Sequence, residues 1–134
     1  MKEEEIREIL GKCKNVAVVG ISPKEDRPSY GVASYLQSKG YRIIPVRPDG
    51  DTLLGERVYP SLTQIPKEIE VDIVDIFRRP EDVPPIVDEA IRRGAKVVWM
   101  QEGIVHEEAA ARARRAGLKV VMDRCMKKDH QSLF

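Results

Sequence analysis

VAVVGISPKEDRPSYGVASYL, residues 16–36, joins a short apolar run to a helical period through a single glycine. Val16, Ala17, Val18 and Val19 are too few for a helix, and their β-branched character suits a buried strand. Gly20 follows at the place where a strand often enters a phosphate-binding turn. A dinucleotide fingerprint would put two more glycines close behind it. Instead come Ile21, Ser22 and Pro23, then mostly charged residues, then Pro28, Ser29, Tyr30 and Gly31 at the head of a helical pattern.

The same strand-to-helix alternation extends along the chain. Residues 2–10 place Ile6, Ile9 and Leu10 on one helical face, with Gly11 as the expected stop. Residues 29–39 form a second helical period, with Val32, Tyr35 and Leu36 inward and Gly40 at its end. YRIIPV (41–46) is the second strand, RVYP (57–60) a short third and VDIVDIF (71–77) the fourth. In residues 81–93, Val83, Ile86, Val87, Ala90 and Ile91 share a face, Pro84 and Pro85 fit the first turn, and Gly94 is the stop. AKVVWM (95–100), a helix over 105–116 closed by Gly117, KVVM (119–122) and a polar tail complete the chain. Repeated helix–strand units predict an α/β fold: a doubly wound, Rossmann-like parallel sheet of five to six strands with helices on both faces. Residues 1–134 read as a single domain with strand order 3-2-1-4-5-6.

Composition narrows the function classes. The chain is 42% apolar and 34% charged, with 23 basic and 22 acidic residues, which suits a folded domain rather than disorder. Aromatics are 5% and no long basic block occurs, so the sequence carries no nucleic-acid signature. No apolar run is long enough to span a bilayer, and the acidic start MKEEEIREIL is unlike a secretory signal, so a cytoplasmic protein is expected. Cys13 and Cys125 make no disulfide framework, and His106 and His130 stand too far apart for a zinc motif. A homodimer or a protein partner is compatible with a domain of this kind, but no interface patch is visible in the sequence.

In a doubly wound sheet, ligands bind beyond the carboxyl ends of the strands. That rule selects Gly20, Ile21 and Ser22 after the first strand, Val46 and Arg47 after the second, Phe77 and Arg78 after the fourth, and Gln101 and Glu102 after the fifth. Gly20 permits a tight turn, Ser22 offers a hydroxyl and an amide, and Ser29 sits at a helix start, where free amides favour phosphate. Arg27 and Lys24 add cations. NAD-binding domains carry an acid at the end of the second strand to hold the ribose hydroxyls. Arg47 in that place suits a ribose phosphate, either the 2′-phosphate of NADP or the 3′-phosphate of coenzyme A. Phe77 offers an apolar face to a base or a pantetheine arm.

These pieces together resemble the small stand-alone CoA-binding proteins, whose domain is similar to the CoA-binding N-terminal domain of the succinyl-CoA synthetase alpha subunit. RPSYGVA, FRRPEDVP and WMQEGI carry the resemblance, which extends over nearly all of residues 14–126. It implies CoA as the ligand, with its phosphates at Gly20, Ser22 and Ser29. It implies the adenosine between Val46, Arg47, Phe77 and Arg78, and the pantetheine end near Gln101 and Glu102. Many relatives have PVNP where this chain has Pro45-Val46-Arg47-Pro48, which leaves Arg47 without a family precedent. No residue matches the histidine that is phosphorylated in the synthetase's second domain. No catalytic or metal-binding residue is assigned. Cys125, between Arg124 and Met126 and near Lys127, is read as a strand-end cysteine, and Glu102, Asp75 and Asp123 have no demonstrable acid–base partner. The expected role is a non-catalytic carrier, sensor or partner subunit. A small NADP-dependent reductase is the alternative.

Overall fold

The computed structural model describes residues 1–134. In chain order the elements are α1 (Glu3–Lys12), β1 (Asn15–Val19), α2 (Pro28–Ser38), β2 (Arg42–Val46), β3 (Thr52–Leu53), β4 (Glu56–Arg57), β5 (Ile73–Ile76), α3 (Val83–Arg93), β6 (Val97–Met100), α4 (Glu107–Arg115), β7 (Lys119–Val121) and α5 (Met126–Leu133). Single 3₁₀ turns lie at Leu62–Gln64 and Pro80–Asp82. Five strands form one parallel sheet in the order β2-β1-β5-β6-β7.

Burial of both sheet faces explains the near-continuous apolar strands. Successive residues alternate between two core layers. Ala17, Val74, Ile76, Val98 and Met100 pack on the face covered by α3 and α4. Val16, Val18, Ile73, Val97 and Trp99 pack on the face covered by α1, α2 and α5. Trp99 has no exposed surface, and its indole N–H donates to the Arg124 carbonyl at 2.7 Å. The doubly wound architecture expected from the sequence is therefore present.

Four details differ from the sequence reading. The expected third strand lies beside β2 but makes a single bridge, Val46 to Tyr59. Tyr59 N donates to Pro45 O and Arg47 N to Tyr59 O, both at 3.0 Å. Pro45 and Pro60 have no N–H, so the ladder cannot extend. The order 3-2-1-4-5-6 thus reduces to five true strands. Arg57 pairs instead with Thr52 in a two-stranded hairpin. Gly11 does not stop α1, which continues through Lys12 and ends at Cys13 in extended conformation. Gly40, Gly94 and Gly117 do take positive φ after their helices. Finally, the polar tail is a helix. In α5 only Met126 and Asp129 are buried. A two-bond Arg124–Asp129 pair at 2.8 Å and a 2.7 Å contact between Tyr35 Oη and His130 Nδ1 hold it against its neighbours. No helix is long and apolar enough to cross a membrane.

Candidate functional site

The carboxyl ends of β1, β5 and β6 open into a cleft of about 790 Å³. Its position follows from topology: β2 and β5 flank β1 on opposite sides, so the connections leave in opposite directions and part at this edge. Of the eleven candidate residues, Gly20, Ser22, Arg27, Ser29, Arg47, Phe77, Arg78, Gln101 and Glu102 line it.

Ile21 and Val46 do not. The Ile21 side chain is 2% exposed and belongs to the core under α2, so it offers a ligand only its backbone. Val46 is buried on the opposite face and borders a separate hollow of about 130 Å³ behind Arg47 and Arg78. The β2 pleat turns Val46 into the core, and the turn at Gly20 turns Ile21 into the other core layer. Pro23, Pro28, Arg79 and Ile104 also line the cleft. Pro28 carries a legible signal, a proline at the first helical position.

The loop from Gly20 to Ser29 is closed by its own hydroxyls. Ser29 is not the cap of α2. Arg27 occupies that position and makes no side-chain cap, while Ser29 lies inside the first turn. Ser29 Oγ accepts the Ser22 amide at 2.9 Å, drawing the two ends of the loop together. Ser22 Oγ accepts the Lys24 amide at 3.1 Å. Each oxygen is thus engaged as an acceptor, and neither hydroxyl proton is taken by a protein acceptor. The first turn of α2 contains no acidic residue, so its free amides and dipole stay available to an anion. Removing the Ser29 hydroxyl is expected to loosen the loop at little cost to the fold. In Ser29→Ala, amide exchange at Ser22 should quicken while the melting temperature changes by no more than about 5 °C, the equivalent of one hydrogen bond.

Charge in the cleft is strongly one-sided. Lys24, Arg27 and Arg47 have no carboxylate within ion-pair distance, and Arg78 and Arg79 share Asp82 at 3.2 and 3.5 Å. The one lining carboxylate, Glu102, is held by Lys128 at 2.9 Å. Gln101 is 4% exposed, and its carbonyl accepts the Met126 amide at 3.2 Å, which turns its NH₂ into the remaining donor. Phe77 N donates to Val19 O at 2.9 Å, fixing the half-buried ring as an apolar wall. The site combines hydroxyl, amide and cationic donors with one aromatic face. That set suits a polyanion carrying an apolar portion.

The carboxylates considered at the sequence level do not form an acid–base pair. Asp123 accepts the Gly103 amide at 2.6 Å, and Asp75 is fully buried within β5 with both oxygens unpartnered. Cys125 precedes α5 without a side-chain capping bond, is half-buried and does not line the cleft. His106 caps α4, its Nδ1 accepting the Ala109 amide at 3.1 Å. No group of histidine, cysteine and acidic residues has the spacing of a metal site.

Residues 14–131 match the CoA binding domain family. The chain belongs to that family. It is 44% identical over 126 residues to the uncharacterized protein YneT of Bacillus subtilis, covering 94% of this chain and 92% of that one. It is 31% identical over 111 residues to acetate–CoA ligase [ADP-forming] II of Archaeoglobus fulgidus. The match spans 80% of this chain but only 16% of the ligase, so the similarity concerns one domain of a much longer protein. Among solved structures, a hypothetical protein from Pyrococcus horikoshii superposes with a TM-score of 0.94 at 41% identity over 99% of this chain and 92% of that one. A Thermus thermophilus protein does so at 0.94 and 37%, over the full length of both. The Rossmann-like fold of this CoA-binding family member is therefore shared with solved relatives.

Proposed function

We propose that the cleft holds coenzyme A or an acyl-CoA, and that the chain acts as a non-catalytic carrier, sensor or partner subunit. The observation that carries the reading is the pair of serines at the α2 N-terminus. Ser22 and Ser29 present two hydroxyl protons beside free helix amides, with Arg27 and Lys24 on the same loop. This set fits the pyrophosphate. Arg47, free of any carboxylate partner and shared between the main cleft and the hollow behind it, fits the 3′-phosphate. Phe77 and Arg78 fit the adenosine. The Gln101 amide and the Glu102 rim face the pantetheine arm.

Arg47 gives the sharpest test. Arg47→Ala should weaken CoA binding by on the order of tenfold or more, the size of a charge-assisted contact to phosphate. Binding of 3′-dephospho-CoA should change far less. Equal losses for both ligands in a calorimetric titration would remove Arg47 from the 3′-phosphate. If neither ligand binds the unaltered protein, the CoA reading itself fails.

A further inference from the structure

The opposite end of the sheet carries a feature that the linear sequence hides. Because all five strands are parallel, every helix-to-strand turn arrives at one face. Lys12 and Lys14 precede β1, Lys39 and Arg42 flank the start of β2, and Lys67 lies ahead of β5. Arg92, Arg93 and Lys96 lead into β6, and Arg114, Arg115 and Lys119 into β7. Eleven cations converge there against four carboxylates, Glu8, Glu68, Glu70 and Asp72, an excess of seven.

Part of this charge has a structural explanation. Five helices end at this face, α5 included, since Phe134 lies beside Gly11. Each C-terminus carries roughly −0.5 charge, so together they offset on the order of −2.5. With the α-carboxylate of Phe134 also at this face, the cations exceed that requirement by about three to four charges. Three of them are engaged locally. Lys12 pairs with Glu8 at 3.3 Å, Lys96 with Glu70 at 2.7 Å and Asp72 at 3.1 Å, and Arg93 donates to the Pro66 and Ile69 carbonyls. Arg42, Lys67, Arg92, Arg114, Arg115 and Lys119 are exposed and have no carboxylate within ion-pair distance.

This basic face is also concave and apolar at its centre. A groove of about 420 Å³ runs between the α1 end and the Gly94 and Gly117 turns. Ile9, Cys13, Ile91, Ala95, Val97 and Leu118 line it, and Lys12, Lys96, Lys119 and the Lys12-paired Glu8 border it. Beside Gly11 stands Phe134, 61% exposed.

We propose that this face docks an acidic segment of a partner protein, with an apolar side chain of that segment seated in the groove and its flanking Asp or Glu residues on the rim lysines and the arginines of the surrounding face. Charge complementarity selects the acidic flanks, and the apolar hollow selects the anchor. A single-stranded nucleic acid would use a run of exposed aromatic platforms, whereas here Phe134 stacks on His130, Tyr35 is half-buried and Tyr41 is buried. The face lies at the far end of the strands from the cleft, so it is free while the cleft is filled.

The test uses the full chain and a fluorescein-labelled peptide of sequence EELFEE, read by fluorescence anisotropy. KKLFKK, EESSEE, a twenty-nucleotide oligo-dT and phosphatidylserine vesicles serve as comparison probes. EELFEE should bind, more weakly as salt rises, and at least tenfold more tightly than KKLFKK or EESSEE. Amide shifts in the unaltered protein should centre on Gly94, Gly117 and Cys13. Combining Arg92→Glu, Arg115→Glu and Lys119→Glu should lower the affinity by at least tenfold and leave the cleft's ligand binding unchanged. Should that variant not fold, Lys119→Glu alone and the shift map decide. The proposal is overturned if EELFEE does not bind, if EESSEE, oligo-dT or vesicles bind as well as it does, or if the shifts centre on the cleft.

Discussion

Asp75→Asn is expected to raise the stability of the protein at neutral pH and to flatten its dependence on pH. Asp75 lies on β5 between Val18 of β1 and Trp99 of β6, with no exposed surface. Neither carboxyl oxygen has a hydrogen-bond partner. Burial alone holds its pKa well above the usual carboxylate range. The unfolded chain releases this proton near pH 4, whereas the folded chain retains it to a higher pH. Folding therefore takes up a proton in the interval between the two values. The stability linked to Asp75 is fully present below the unfolded pKa and is lost as pH rises towards the folded one. The loss is about 1.4 kcal/mol for each pH unit in that window. Asparagine keeps the shape and removes the titration. Denaturant unfolding from pH 4 to 8 should show a steep decline for the unaltered chain and a shallower one for Asp75→Asn. Parallel curves would mean that Asp75 is solvated or paired in solution.

Gly20→Ala should have the opposite effect on the fold. Gly20 has φ +86°, a conformation that disfavours any side chain. An added Cβ would stand 2.5 Å from the Phe77 carbonyl oxygen and 2.7 Å from Arg78 Cδ. The arginine can swing away, but the carbonyl belongs to the backbone continuing β5, which Phe77 N ties to Val19. Relief would require the ends of β1 and β5 to part, at the centre of the cleft. The combined strain and clash should cost about 3 kcal/mol, or roughly 10 °C in melting temperature for a domain of this size. Ligand affinity should fall with it. Gly31, one turn along in α2, is the control. Nothing lies within 4 Å of its added Cβ, so Gly31→Ala should leave stability equal or slightly higher. If both variants melt alike, the close approach at Gly20 is not limiting.

The sequence is most legible where burial and period agree. VAVV, IVDI and VVWM sit in the centre of the sheet, and their apolar content alone distinguishes them from the helices. Gly94 and Gly117 mark helix ends because the chain turns there through positive φ into the next strand. Gly11 misleads because the same residue type also tolerates a helix interior. Helix α5 escapes notice because hydrogen bonds and one ion pair, rather than an apolar stripe, hold it down. Nine candidate site residues reach the cleft because strand ends and a helix start predict position well. Val46 is the last residue of β2, where pleat phase sets the face, and Ile21 follows the positive-φ turn at Gly20, which sends its side chain into the core under α2. The basic end face is invisible for a topological reason: its cations arrive one to three at a time from five separate turns.

The central claim, that the cleft holds CoA, is tested most directly by calorimetric titration of the unaltered protein with CoA, 3′-dephospho-CoA, NADP and NAD. CoA should bind in the micromolar range or tighter, roughly −8 kcal/mol or better, with dephospho-CoA and NADP weaker and NAD weakest. Tight binding of NADP with none of CoA would contradict it.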